Sequence, residues 1–245
     1  MAVYVLVHGS WLSAFCWDKI VPALEKCGHT VLAVDLPGHG DSQLPLKGQD
    51  IHTYSAYLAD VLRTCAEPVI LVGHSMGGMP ISETAALVPE KVKKLVYLAA
   101  FLPKDGQACH SKDGSSAVEQ VDWYAMAAAD IGVVLSADQE AMFLEDRFAC
   151  PALYNDLPES EGLEYCKKNG WEPIAAPYTN VRLNEAFDRI PKCYIKTLRD
   201  NILLPKLQEQ MLAATPVDEI YEIDAGHSPY FSKPEEVTEI LLKMA

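Results

Sequence analysis

Apolar residues recur along the chain in short runs separated by amphipathic stretches. Val3–Val7, Thr30–Asp35, Val69–Val72, Val92–Ala99, Cys193–Leu198 and Glu219–Ile223 read as strands. Val69–Val72 is apolar throughout, the pattern of a strand buried on both faces. Helical spacing links the runs. Asp18–Lys26 carries Ile20, Val21 and Leu24 on one face, and Thr53–Ala66 reads as a helix. Further helices are predicted from near Met76 through Ala86, near Leu204–Ala214, and over Pro234–Lys243. This alternation predicts an α/β fold whose mostly parallel central sheet is flanked by helices.

The alternation lapses from about Pro103 to about Arg189. That stretch is rich in Ala, Asp, Glu and Tyr and holds no convincing strand run. Ala137–Phe148 and Glu159–Lys168 are its plausible helices. The expected organisation is a core of residues 1–102 and 190–245, with 103–189 as a mainly helical cap insertion.

Composition narrows the function. The chain has 245 residues, 49% of them hydrophobic and 22% charged, enough to bury a core without staples. Its net charge of −14 would be repelled by phosphate backbones and attracts it little to anionic membranes, so neither nucleic acid nor membrane is an expected partner. No run approaches the about 18 apolar residues of a membrane span. The first residues read as a strand and not as a signal peptide. The seven cysteines show neither C-x-x-C pairs nor zinc spacing. Free thiols and a cytoplasmic setting are therefore expected. No metal or other cofactor is implied: the histidines are scattered, and no phosphate-binding glycine loop is present.

The strongest chemical signal is Gly73-His-Ser75-Met-Gly77, between an apolar strand and a helical segment. It has the form of a nucleophile elbow, a strained strand-to-helix turn that exposes a serine. The helix that follows favours developing negative charge at its N-terminus. The second signal is Val7-His-Gly-Ser-Trp11, directly after the first strand. Acyl transfer needs backbone N–H donors aimed at the oxyanion, and Ser10 and Met76 are the candidates. His8 is expected to brace its loop. The third signal is Gly226-His227, just past the last strand. Elbow enzymes run Ser, acid, His along the chain, which makes His227 the candidate base. Asp200, after the Cys193–Leu198 run, is the best-placed acid, with Asp224 and Asp105 as rivals. Trp11, Trp123, Tyr124, Met126 and Phe148 are candidate substrate-pocket residues. Trp17, Tyr230 and Phe231 read as core, and His39 as exposed.

Together these residues resemble the α/β-hydrolases, and within them the plant methylesterase and hydroxynitrile lyase group with its microbial esterase relatives. The matching elements are Leu6-Val-His-Gly-Ser-Trp11, Cys16-Trp17, Gly28-His29, Asp35-Leu36, Val72–Gly78, Leu98–Pro103, Asp200–Pro205 and Gly226-His227. The resemblance spans both halves of the core and is loose over 103–189. It implies a cofactor-free enzyme with the triad Ser75, Asp200 and His227 and an oxyanion hole from Ser10 and Met76. The lyases of the group carry Thr where Gly9 stands and Lys where Ser228 stands, which favours ester hydrolysis here. The glycine-rich Asp35–Ser42 departs from most plant members and argues against close plant-hormone specificity.

The expected function is hydrolysis of a small, mainly apolar carboxylic ester through an acyl-enzyme on Ser75. Amide, carbamate or C–C hydrolysis and hydroxynitrile-lyase-type chemistry could use the same triad, since fold does not choose among them. A ligand-binding receptor with little turnover is the alternative from another class. A homodimer is expected only in so far as dimers are common among soluble enzymes.

Overall fold

The apolar runs become strands close to where the pattern puts them. The computed structural model describes residues 1–110 and 123–245, apart from the side chains of 123–125. The strands are β1 (Val3–Val7), β2 (Thr30–Val34), β3 (Val69–His74), β4 (Val92–Leu98), β5 (Val133–Leu135), β6 (Ala141–Leu144), β7 (Glu172–Pro173), β8 (Lys192–Thr197) and β9 (Glu219–Ile223). Six of them form one sheet in the order β2-β1-β3-β4-β8-β9. Every pairing in it is parallel. Parallel strands need crossovers, and helices such as Ile51–Thr64 and Gly78–Leu87 supply them.

Side-chain alternation along each strand feeds two separate cores, as a sheet covered on both faces requires. Tyr4, Leu6, Ile70, Val72, Val96, Leu98 and Ile195 point to one. Val5, Val7, Leu71, Leu95, Tyr97 and Tyr194 point to the other. Local signals set the helix ends. Asp50 accepts from the Thr53 N–H at 2.8 Å while Thr53 Oγ1 accepts from the Asp50 N–H at 2.8 Å. This capping box starts the helix at Ile51, two residues before the apolar pattern does.

The insert between β4 and β8 corrects one expectation. It contains a three-stranded sheet, β5-β6-β7, paired antiparallel. Ala137–Phe148 is not one helix: β6 occupies its middle, and a helix begins only at Asp146. Ala-Met-Phe-Leu are residues a helix also accepts, and a strand of four carries too short a period to declare itself. Pairing with β5 and β7 decides the outcome. The helix Glu159–Cys166 falls where expected. Val133, Met142, Leu144, Leu153 and Tyr154 of the insert join the same core as Tyr4 and Leu6, so the insert packs onto the sheet.

The crossing of Gly78 with the chain after β4 is the tightest in this region. A β-carbon there would overlap the Phe101 carbonyl oxygen and lie 3.0 Å from its carbon. Neither side is a flexible side chain that could move away. Gly78→Ala is therefore expected to destabilise the protein by about 3 kcal/mol or more, read from the midpoint of urea unfolding.

Candidate active site

Sheet order reverses beside β1, which lies between β2 and β3. The carboxyl ends of strands at such a switch point are where open α/β sheets bind ligands. Residues 8–11 leave β1 there, and Ser75 leaves β3. Ser75 has φ of 54°, a left-handed backbone that costs a side-chain-bearing residue energy and is held only by its surroundings. The neighbours permit it by being small. A β-carbon on Gly73 would stand 2.7 Å from the Gly77 carbonyl oxygen, and one on Gly77 would stand 2.5 Å from that of His8. Met76 is the second residue of the 3₁₀ turn Ser75–Gly77, where backbone N–H groups have no partner within the helix. Among the described residues, no acceptor pairs with the Ser10 N–H.

Three side chains from distant parts of the sequence meet at the turn. Ser75 Oγ lies 3.0 Å from His227 Nε2. His227 Nδ1 lies 2.8 Å and 3.0 Å from the two carboxylate oxygens of Asp200. His227 and Asp200 are almost wholly buried. Asp200 is fixed in turn: Oδ1 accepts from the N–H groups of Ile202 and Leu203, each at 2.8 Å, and Oδ2 from the Thr197 hydroxyl at 2.9 Å. The rival acids are occupied elsewhere. Asp105 accepts from the Leu183 N–H, and Asp224 pairs with Arg199 at 2.7 Å.

The His227 loop has braces that the sequence did not reveal. His74 Nε2 donates to the His227 carbonyl at 2.8 Å, and its ring contacts that of His227 at 4.7 Å. Burial foremost, with His227 nearby, pushes the His74 pKa well below that of ordinary imidazole, so the ring stays neutral. From the insert, Asp156 accepts from the Gly226 N–H at 2.7 Å and Asn155 from the His227 N–H at 3.3 Å.

The loop after β1 is as tightly fixed. His8 is fully buried; its Nδ1–H donates to the Gly9 carbonyl at 2.8 Å, and its Nε2 accepts from the Leu36 N–H at 3.1 Å. Burial and then His39 push its pKa down to about 3, which keeps it neutral. It braces the loop, as expected. Gly9 has no room for a side chain, since a β-carbon would stand 2.6 Å from Ser75 Cβ. Ser228 is fully buried, with its hydroxyl accepting from Tyr230 at 3.2 Å. Trp17, Tyr230 and Phe231 lie in the core.

His39 is not exposed but buried, a second correction. Its Nε2 lies 3.1 Å from the Glu172 carboxylate, a partner 133 residues away that supplies the counter-charge burial demands.

The candidate pocket residues scatter. Trp11 is 5% exposed and sits in the core between sheet and insert. Met126 and Phe148 are half-buried against that core, and Phe148 also lies against the turn at Gly132. Trp123 and Tyr124 lie on the helix Trp123–Ala128, with side chains outside the described residues. Among the described residues, no group of three or more His, Cys, Asp or Glu side chains could hold a metal, and no helix is long and apolar enough to cross a membrane.

Comparison with known proteins agrees with this architecture. The Alpha/beta hydrolase family profile matches residues 4–240, and the chain belongs to that family. Within it the chain resembles the plant methylesterase group, among esterase-type hydrolases. Putative methylesterase 11, chloroplastic, of Arabidopsis thaliana is 32% identical over 99% of this chain. The chain spans only 63% of the length of that relative. Methylesterase 17 of the same plant is 30% identical over 99% of this chain and 91% of its own length. Among solved structures, a pyrethroid hydrolase from Sphingobium faniae JZ-2 superposes with a TM-score of 0.83 at 27% identity, covering 99% of this chain and 96% of the other.

Proposed function

We propose that the protein hydrolyses a small, mainly apolar carboxylic ester through an acyl-enzyme on Ser75. The observation that supports this most is the unbroken hydrogen-bond chain from Ser75 Oγ through His227 to Asp200. In this reading His227 Nε2 takes the Ser75 proton as Oγ attacks the ester carbonyl. Asp200 holds the Nδ1–H tautomer and balances the imidazolium that forms. The backbone N–H groups of Ser10 and Met76 hold the tetrahedral oxyanion, a contribution worth about 3–4 kcal/mol of barrier per donor. His227 then protonates the departing alcohol and activates water to release the acid.

The half-buried Met126 and Phe148 are the proposed apolar walls for the acyl and alcohol groups. The names of the methylesterase relatives make a methyl ester the first substrate to try. Two observations weigh against a lyase. Gly9 has no space for a hydroxyl-bearing side chain, and Ser228 is sealed in the core.

The test is a panel of methyl and p-nitrophenyl esters of small acids, with the matching anilides and a cyanohydrin. Repeated turnover of the esters, far exceeding that of the others, supports the reading. Faster anilide cleavage or cyanide release would contradict it. One equivalent of product with no further turnover would point to the receptor alternative.

Because the oxyanion donors are main-chain groups, side-chain loss at Ser10 should matter little. Among the described residues its hydroxyl hydrogen-bonds only to the Met76 thioether, at 3.2 Å. Ser10→Ala is expected to keep kcat within about tenfold of wild type. A drop beyond about a hundredfold with the fold intact would contradict a main-chain role.

A further inference from the structure

Trp11 follows the proposed oxyanion donor and is itself strained, with φ of 63°. A tryptophan persists there only if its surroundings over-determine it. One short stretch of the insert grips both of its backbone groups. Its N–H donates to Glu172 Oε2 at 3.1 Å, and its carbonyl accepts from the Gly170 N–H at 2.7 Å. Glu172 is fully buried and lies outside the Ser75–His227–Asp200 chain. A buried carboxylate is costly unless paired. Here the core supplies the partners: His39 at 3.1 Å, from the loop after β2, and the Tyr54 hydroxyl at 3.4 Å, from the helix Ile51–Thr64.

We propose that Glu172, neutralised by His39, is a positioning residue that locks the Trp11 backbone and so aims the Ser10 N–H at the reacting carbonyl, making turnover depend on the insert being seated on the core. Fixing the Trp11 N–H and carbonyl holds the Ser10–Trp11 side of Ser10 and restrains rotation about its Cα–C bond, which limits how the adjoining Gly9–Ser10 peptide, the one that carries the Ser10 N–H, can turn. The charge of the carboxylate must also be cancelled, because a bare anion one residue from the donor opposes an oxyanion. This inference rests on the reading of Ser10 as an oxyanion donor.

The pair has a pH signature. His39 Nδ1 lies 3.2 Å from the Pro37 carbonyl oxygen, so both ring nitrogens face acceptors and the cation satisfies both. Burial alone would lower the His39 pKa. The Glu172 charge and hydrogen bond, then the Pro37 carbonyl and the Asp35 charge, hold it above the ordinary range. The other rings facing it are His8 at 4.9 Å and Tyr54 at 5.8 Å. His8 is neutral, and burial foremost keeps Tyr54 and Cys109, which flank Glu172, protonated. The His39 cation is thus present below its raised pKa. As pH rises through that value, the cation is lost and Glu172 becomes an uncompensated buried charge.

The experiment measures kcat and KM for p-nitrophenyl acetate from about pH 6 to about pH 10 in wild type, Glu172→Ala, Glu172→Gln and His39→Gln. Alongside, it measures inhibition by a trifluoromethyl ketone, which forms an oxyanion on the serine, and by the matching methyl ketone. Glu172→Ala is expected to lower kcat by about 10–100-fold at little-changed KM, and to weaken the trifluoromethyl ketone by a similar factor. Glu172→Gln keeps the shape without the charge, so no buried anion is stranded at high pH and the alkaline limb should disappear, while His39→Gln leaves the carboxylate uncompensated throughout and should lower kcat across the whole range without that limb. Should Glu172→Ala fail to fold, the limb in the other two variants decides. An unmoved limb with unchanged kcat and ketone affinity overturns the proposal, whatever happens to the melting temperature. If wild type binds the trifluoromethyl ketone no better than the methyl ketone, the oxyanion reading fails and the latch falls with it. Tight binding in wild type with no change in the variants sinks the latch alone.

Discussion

Replacing Ser75 with alanine is expected to lower kcat for a short ester by on the order of a millionfold while leaving the fold in place. In the proposed mechanism the Ser75 hydroxyl oxygen does the chemistry and little else. Among the described residues, Ser75 Oγ bonds only to His227 Nε2. Its removal leaves no charge stranded, and alanine tolerates φ of 54° about as poorly as serine does. The stability change should stay within about 1 kcal/mol. Water could still attack a carbonyl held by Ser10 and Met76, so turnover should not reach zero. Steady-state kinetics and a thermal melt on the same preparation check both halves. Wild-type turnover in the variant would remove Ser75 from the mechanism.

Asp200→Asn is expected to cost about ten-thousandfold in kcat with the site geometry preserved. The neighbours dictate how the new amide sits. The N–H groups of Ile202 and Leu203 both donate to Oδ1, so the amide oxygen must take that position. The NH₂ is then forced to the Oδ2 position, 2.8 Å from His227 Nδ1. A donor there makes Nδ1 an acceptor and moves the ring proton to Nε2. That nitrogen then faces Ser75 as a donor and cannot take its proton. Turnover should recover in part at high pH, where serine alkoxide and hydroxide need no base. A loss of less than about tenfold would mean that the acid does not set the tautomer.

Much of this site was legible in the sequence because its signals are local or ordinal. The elbow is five consecutive residues between a strand and a helix. Asp200 and His227 each follow a strand, and their order after Ser75 is itself a signal. What escaped was held together by contacts across long stretches of chain. Glu172 lies 161 residues from Trp11, and Asn155 lies 72 residues from His227. An isolated Glu before a Pro, or an Asn before an Asp, is an ordinary loop pattern until folding brings the partner. His39 reads as exposed for the same reason: its counter-charge is in the insert. The strands of the insert were missed because β6 has four residues and β7 two, less than the window in which a period of two can be seen.

Every step proposed above starts from Ser75 as an activated nucleophile. The most direct measurement is to treat the folded protein with a fluorophosphonate and locate the label by peptide mass spectrometry, with Ser75→Ala as control. One label per chain is expected, on Ser75 and absent from the variant. A folded protein that takes no label, or takes it on another residue, would contradict it.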